Sequence, residues 1–302
     1  VKVLCTTSSF DNKSAIPEGM IFVMNPFRRK LTEDEVARLI EEHQPVGMIA
    51  GVEPLTRKVL KNAKSLKVIS RCGIGLDSVD LDAAKETEII VTNTPEGPTR
   101  AVAELTIGLI LSALRRINNA DSKIREGKWE RPMGILLYGK TVGILGCGRI
   151  GSYVARLCSV FGTHVIGHDP HINSHELCEL VGKDELLEKS DVVSLHIPYS
   201  KENLHYIGKR EISIMRDGAV LINASRGGLV DEVALYEALV SGKLAASAMD
   251  CFEKEPYTGD LAKLDNIVLT SHIGSYAREA RDMQEKQAVE NLIAALKSLG
   301  IL

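Results

Sequence analysis

The stretch GCGRIG at 146–151 places three glycines at the spacing that lets a backbone turn close around a diphosphate. It follows the apolar run Val142, Gly143, Ile144, Leu145 directly, and Ile150, Val154, Leu157 and Phe161 then recur at helical spacing. A second apolar run, 164–168, ends at Asp169, 18 positions after Gly151. In such a strand–turn–helix–strand unit each part has a task. Gly146 permits the tight turn, Gly148 lets the backbone approach a pyrophosphate, and Gly151 allows close packing of helix on strand. The helix start offers free N–H groups and the positive end of its dipole. Asp169 would accept hydrogen bonds from ribose hydroxyls. A carboxylate there repels a 2′-phosphate, and residues 170–175 hold no Arg or Lys to receive one, so NAD is expected over NADP. His168, His171 and His175 crowd the same loop, but surface imidazoles are the plainer reading and no metal is expected.

Three later stretches hold groups that could complete a redox reaction beside such a cofactor. NASRGG presents Arg226, MDCFEKEP presents Asp250 and Glu255, and SHIGS presents His272. Reducing a carbonyl needs a hydride on carbon and a proton on oxygen. Imidazole titrates in the range that lets it exchange that proton, which makes His272 the acid/base candidate. A carboxylate on its far nitrogen would fix its tautomer, and Glu255 is the candidate. Arg226 could fork onto a substrate carboxylate and the reacting carbonyl together. Asp250 is read as lying towards the nicotinamide. Singly, each has a structural explanation; together, behind a dinucleotide fold, they point to hydride transfer with a 2-oxo acid.

These groups need strands to carry them. From Lys140 onwards apolar runs at 142–145, 164–168, 191–196, 219–223, 246–250 and 267–270 alternate with helical patterns, six strands in all, as a doubly wound dinucleotide domain requires. The stretches bearing Arg226, Glu255 and His272 follow the last three, at the strand ends where ligands sit in such sheets. The first third alternates too, with strands expected at 1–5, 20–24, 47–50, 67–71 and 89–92. Between them Thr32 and Glu35 bracket a capping box, and Val36, Leu39 and Ile40 form the stripe of its helix. This is an open parallel sheet of flavodoxin-like class. NTPEGPT, 93–99, reads as a break before a helix at 101–117 that is apolar nearly all round, suited to a seam between domains or subunits. Trp129 sits in a basic stretch, 123–131, taken as a surface excursion. A final helix, 278–299, carries Val289, Leu292, Ile293 and Leu296 on one face.

Composition narrows the function classes. The 302 residues are 44% hydrophobic and 25% charged with net charge −3, ordinary for a soluble globular chain of two domains. That charge makes no case for nucleic acid or an anionic membrane, and no apolar run is long enough to span a bilayer. The six cysteines are scattered without a C-x-x-C, as suits packing thiols in a reducing cytoplasm. The chain opens on a strand-like run with no signal peptide, which also favours a cytoplasmic protein.

In order and spacing, GCGRIG…HDP, NASRGGLVDEVAL, AMDCFEKEP and LTSHIGS, with RCGIGLDSVDL and NTPEGPTRAVAE before them, resemble the D-2-hydroxyacid dehydrogenases over essentially the whole chain. The resemblance implies an Arg226, Glu255, His272 catalytic set and a substrate carboxylate held by the backbone of Gly73, Ile74 and Gly75. It implies a discontinuous substrate domain, 1–98 plus 275–302, around an NAD-binding Rossmann domain, 99–274, with hinges that close a cleft. To the cofactor residues Gly146, Gly148, Gly151 and Asp169 the reading adds Arg149 and Ile150, and His196, Pro198, Ala224 and Asp250 near later strand ends. Members usually pair through the nucleotide domain, so a homodimer is expected. Within the family the first-domain segments look most like phosphoglycerate dehydrogenases, whose substrate phosphate would meet Arg71. Where many of those carry an Arg after the third strand, this chain has Ala50 and Gly51. With nothing beyond Leu302, serine feedback through a C-terminal regulatory domain is not expected. The expected activity is NAD-dependent hydride transfer with a small 2-oxo or 2-hydroxy acid, 3-phosphoglycerate first, which would place the chain in serine biosynthesis. The competing expectation is reduction of glyoxylate or hydroxypyruvate at the same site; a corepressor-like NAD-sensing protein is the more distant alternative.

Overall fold

The structure, a computed structural model, describes residues 1–11 and 16–302. The chain divides into two compact units, Val1–Pro98 with Ser275–Leu302, and Thr99–Gly274. In the first, strands β1 (Lys2–Cys5), β2 (Ile21–Met24), β3 (Gly47–Ala50), β4 (Val68–Arg71) and β5 (Ile90–Asn93) form one sheet in the order β2-β1-β3-β4-β5, every pair parallel. Alternation along each strand feeds two cores, as a parallel sheet covered on both faces requires. Leu4, Met48 and Ile69 face helices α1 (Glu33–His43), α2 (Arg57–Asn62) and α3 (Leu81–Glu86). Val3, Ile49 and Val68 face the last helix, α10 (Arg278–Ser298), through Val289, Leu292 and Leu296. α1 starts as its sequence requires. Thr32 Oγ1 accepts from the Glu35 amide at 3.3 Å, and Glu35 Oε2 accepts from the Thr32 amide at 2.9 Å.

The helix leading into the second unit, α4 (Glu96–Arg115), begins five residues earlier than 101, inside the expected break. Pro98 is tolerated because it lies in the first turn, where its missing N–H has no carbonyl to bond. α5 (Ile117–Arg125) follows, and then a stretch without regular structure to residue 140.

The second unit has seven strands, one more than expected. They are β6 (Thr141–Leu145), β7 (His164–His168), β8 (Glu179–Leu180), β9 (Val192–Leu195), β10 (Ala219–Asn223), β11 (Leu244–Met249) and β12 (Ile267–Leu269). They pair in parallel in the order β12-β11-β10-β9-β6-β7-β8, so chain order reverses between β6 and β9. The added strand, β8, is a two-residue edge, too short to leave a periodic signal. Helices α6 (Arg149–Val160), α7 (Lys183–Lys189), α8 (Lys209–Ile214) and α9 (Glu232–Ser241) complete the alternation. The buried face of α6 is Gly151, Val154, Ala155 and Cys158. Phe161, expected on that stripe, lies past the helix end and is exposed.

Candidate active site

The reversal between β6 and β9 is where the glycine motif sits. Gly146 has φ of +93°, and a Cβ there would lie 2.6 Å from the carbonyl oxygen of His196 at the end of β9. Gly151 is tighter, since a Cβ would come within 1.9 Å of the Gly146 carbonyl oxygen. At Gly148, by contrast, an added Cβ meets no protein atom within 4 Å. Gly148 is also the N-cap of α6 and has no capping side chain, so the first N–H groups of Arg149 and Ile150 lack a side-chain acceptor. A turn that is crowded on its inner side, open on its outer side and backed by an uncapped helix start fits a diphosphate. Asp169 closes the turn: Oδ2 accepts from the Cys147 amide and Oδ1 from the His171 amide, both at 3.0 Å. Each oxygen keeps a lone pair for a ribose hydroxyl.

The neighbouring candidates differ in character. His196 is held neutral, its pKa lowered to about 3 by burial. Its Nε2 meets Ser194 Oγ at 2.9 Å, while Nδ1 has no hydrogen-bond partner among the described residues. The Pro198 carbonyl accepts from Asn203 at 3.1 Å, and Ala224 is buried at the end of β10. Of the loop imidazoles, His168 Nδ1 faces the Val181 carbonyl at 3.0 Å, and His175 bonds Ser152 and Cys178, so neither is the plain surface residue expected. Among the described residues no group of three or more His, Cys, Asp or Glu could hold a metal ion.

His272 and Glu255 meet because β11 and β12 are neighbours, and β10, which leads to Arg226, lies on the other side of β11. Gly227, after β10, packs directly onto the turn after β11: a Cβ on it would lie 1.8 Å from the Phe252 carbonyl oxygen. His272 Nδ1 is 3.0 Å from both oxygens of Glu255. A carboxylate only accepts, so Nδ1 carries the proton and a neutral His272 leaves Nε2 as its acceptor. Glu255 is itself held by the Phe252 amide, which donates to Oε1 at 3.1 Å. Arg226 donates from Nη1 to the Ser225 carbonyl at 2.8 Å, and its own carbonyl accepts from Asn223 at 2.9 Å. Burial raises the Cys251 thiol between them, with the Asp250 and Glu255 carboxyl groups adding to the rise and Arg226 opposing it.

Asp250 takes a place that its sequence position does not disclose. It is 1% exposed, and its Oδ1 accepts from Thr270 Oγ1 at 2.6 Å and from the Ile273 amide at 2.8 Å. Its Oδ2 accepts from the Gly274 amide at 2.8 Å. Three hydrogen bonds to the His272 loop make it the anchor of that loop. His272 has φ of +55°, a conformation costly for a residue with a Cβ and maintained only where surroundings over-determine it. Asp250 supplies that restraint. Thr270, missed in sequence, belongs to the same anchor; its type and place at a strand end are the only signal it offered.

In the first unit the loop after β4 differs from expectation at one residue. The Gly73 amide donates to Thr94 Oγ1 at 2.7 Å, so it is committed within its own loop and is not a free donor for a carboxylate. No hydrogen bond from the amides of Ile74 and Gly75 is found among the described residues, while the Ile74 carbonyl accepts from Asn93 at 2.8 Å. Arg71 folds back, donating from Nη1 to the Cys72 carbonyl. Close by lies a residue that sequence reading missed, Glu53, which is 1% exposed. It accepts from Thr6 Oγ1 and, at 3.1 Å, from the Gly51 amide. Burial pushes its pKa up, and Arg71 opposes that.

Residues 107–274 match the family described as D-isomer specific 2-hydroxyacid dehydrogenase, NAD binding domain. The chain is 40% identical over 279 residues to D-3-phosphoglycerate dehydrogenase of Archaeoglobus fulgidus, an alignment covering 90% of this chain and 53% of that one. It is also 40% identical over 278 residues to hydroxypyruvate reductase of Thermotoga maritima, with 90% of each chain covered. The chain thus spans about half the length of the first relative and nearly all of the second. Among solved structures, a glyoxylate reductase from Paecilomyes thermophila superposes with a TM-score of 0.91 at 31% identity, covering 98% of this chain and 95% of that one.

Proposed function

The chain belongs to the D-isomer specific 2-hydroxyacid dehydrogenase family, and on that premise we propose that it transfers a hydride between NAD(H) and a small 2-oxo or 2-hydroxy acid. The observation that carries this reading is the His272–Glu255 pair on a loop anchored by Asp250. Gly146, Gly148, Arg149, Ile150, Gly151 and Asp169 would hold the diphosphate and ribose, with His196, Pro198 and Ala224 beside them. NAD(H), when bound, supplies or takes the hydride. His272 gives a proton to the substrate oxygen in reduction and takes it in oxidation, through Nε2. Glu255 keeps Nδ1 protonated and stabilises the imidazolium. Arg226 orients the substrate carboxylate and carbonyl, and Asp250 acts through the loop that it anchors.

Two substrates follow from different observations. Arg71 at the end of β4 is the cation that would meet the phosphate of 3-phosphoglycerate, and that reading would put the chain in serine biosynthesis. The buried Glu53 side chain, which takes up the Gly51 amide where a cation would be wanted, favours an unphosphorylated acid such as glyoxylate or hydroxypyruvate. NADH oxidation at equal concentrations of 3-phosphohydroxypyruvate, hydroxypyruvate and glyoxylate separates them. A preference for the first that Arg71→Ala abolishes supports phosphate recognition; a preference for either other supports the second reading. Turnover of none, with NADH still bound, would remove the dehydrogenase assignment.

The reading includes a homodimer in a reducing cytoplasm. Much of α4 is already covered in its own unit, by packing through Val102, Leu109, Ile110 and Leu114. The apolar surface left over lies further on, at Ile124, Trp129, Met133, Leu136 and Tyr138, all exposed. A second copy is the occupant proposed for it, checked by the solution mass of the protein and of Trp129→Ala with Met133→Ser. All six cysteines are free and buried, as a reducing compartment allows. Among the described residues no helix is long and apolar enough to cross a membrane.

A further inference from the structure

Beneath the glycine turn, two thiols and an imidazole meet in an arrangement that hydride transfer does not use. Cys147, inside the glycine motif, and Cys178, just before β8, converge over Gly167 of β7. A Cβ on that glycine would lie 2.6 Å from the first sulfur and 2.7 Å from the second. The two sulfurs are therefore close neighbours above the same backbone position. Cys178 Sγ is also 3.2 Å from His175 Nδ1. The proton positions follow from the partners. Ser152 Oγ donates its single proton to the Cys147 carbonyl at 2.9 Å, so towards His175 Nε2, 2.8 Å away, it can only accept. Nε2 therefore carries the imidazole proton. Nδ1 is the acceptor, for the Leu177 amide at 3.2 Å and for the Cys178 thiol. A neutral imidazole with its acceptor nitrogen on a thiol is a built-in base.

The remaining thiols lack such a partner. Burial pushes Cys5 and Cys158 up to about 12 and raises Cys72 and Cys251 as well. The pair over Gly167 interact with each other, which raises the Cys147 thiol and lowers that of Cys178. Cys178 itself is buried, but Glu176, Leu177 and Glu179 around it are exposed on the sheet edge, within reach of a small oxidant.

We propose that Cys147 and Cys178 are a peroxide-responsive thiol pair, whose disulfide closes under the dinucleotide turn and weakens its hold on NAD(H). The Cys178 thiolate, its proton taken by His175, attacks one oxygen of hydrogen peroxide. An S–O bond forms, the O–O bond breaks, and the departing hydroxide leaves as water with the proton from His175. Cys147 then attacks the sulfenic sulfur. The S–S bond forms, the S–O bond breaks, and the hydroxyl leaves as a second water with the Cys147 proton. Two thiols are oxidised by two electrons, and one peroxide is reduced to two waters. The coupling to the cofactor is through the backbone. The Cys147 amide is bound by Asp169 and its carbonyl by Ser152, so drawing its side chain to Cys178 displaces the turn and the ribose-binding carboxylate together. The thiol chemistry is independent of what the turn binds; the affinity effect rests on the NAD(H) assignment above.

The test treats the reduced full-length chain with hydrogen peroxide, caps remaining thiols with N-ethylmaleimide, and reads non-reduced peptides by mass spectrometry alongside NADH fluorescence titration. A Cys147–Cys178 cross-linked peptide is expected, reversible by dithiothreitol, with NADH affinity lowered by roughly fivefold or more, the lower end of ordinary coupling between sites. Cys178→Ser should bind NADH as the reduced parent does, form no cross-link and lose the peroxide effect, and His175→Gln should slow the cross-link. No cross-link, or one between other cysteines, overturns the proposal. A cross-link with unchanged NADH affinity overturns the coupling. A cross-link in a chain whose reduced form binds no NADH leaves the thiol pair standing and removes the cofactor assignment instead.

Discussion

Both units wind a parallel sheet whose strand order reverses once, yet the two reversals are finished differently. Between β6 and β9 the chain places glycines, and an uncapped helix start follows. Between β1 and β3 it places side chains. Asn25 donates to the Thr6 carbonyl at 3.0 Å and to the Arg29 carbonyl at 2.9 Å, and Glu53 takes Thr6 and the Gly51 amide. Topology produces a crevice at every such point. Whether a ligand or the protein's own carboxylate fills it is decided by a few residues beyond the strands. One unit is thereby a candidate cofactor seat and the other a candidate carrier of specificity.

The largest expected effect tests the chemical end of the second unit. His272→Ala should lower turnover by about 10²- to 10⁴-fold while NADH titrates as in the parent chain. Parallel losses in turnover and NADH binding would strip His272 of its proton-transfer role. Next in size, Asp169→Ala should weaken NADH by about tenfold, the loss of one or two hydrogen bonds to a charged acceptor. NADPH should be affected much less; an unchanged preference between the two would assign that choice to another residue.

Smaller effects belong to the first unit. Because burial raises Glu53 above the ordinary carboxyl value, its proton is held more tightly in the folded chain than in the unfolded one. The stability it contributes is complete below the unfolded value and is lost as pH rises through the folded one. Glu53→Gln should therefore gain thermal stability relative to the parent as pH rises from about 4 to 8. A difference that stays flat across that range would mean Glu53 titrates normally. Smallest is Thr32→Ala, which removes the α1 cap and should cost about 1 kcal/mol in denaturant melts. NADH affinity should stay the same; a change there would break the separation of roles between the units.

The fold class was legible because strands buried on both faces read as short apolar runs, and helix stripes and the Thr32–Glu35 box mark the rest. Its misses are local. β8 is two residues long, and the helix at Glu96 begins across a Pro that its first turn accommodates. Site residues were legible by type, because Gly, His, Arg and Glu at strand ends suggest a task before any contact is known. Their partners were not. Glu255 and His272 are 17 positions apart, and nothing in that number brings them to 3.0 Å. Adjacent strands β11 and β12 do.

The sequence by itself determined where all strands but β8 run and which glycine turn and which proton-carrying residue types are candidates for a site, because those properties belong to residues and their near neighbours. Only the tertiary structure decided that Asp250 anchors the His272 loop, that the Gly73 amide is already committed, that Glu53 is buried 47 positions from its Thr6 partner, and that Cys147 and Cys178 share the space over Gly167. Each of those depends on a hydrogen bond or a packing contact between separate segments. Such contacts are set by how the sheet orders its strands and by what burial leaves within reach.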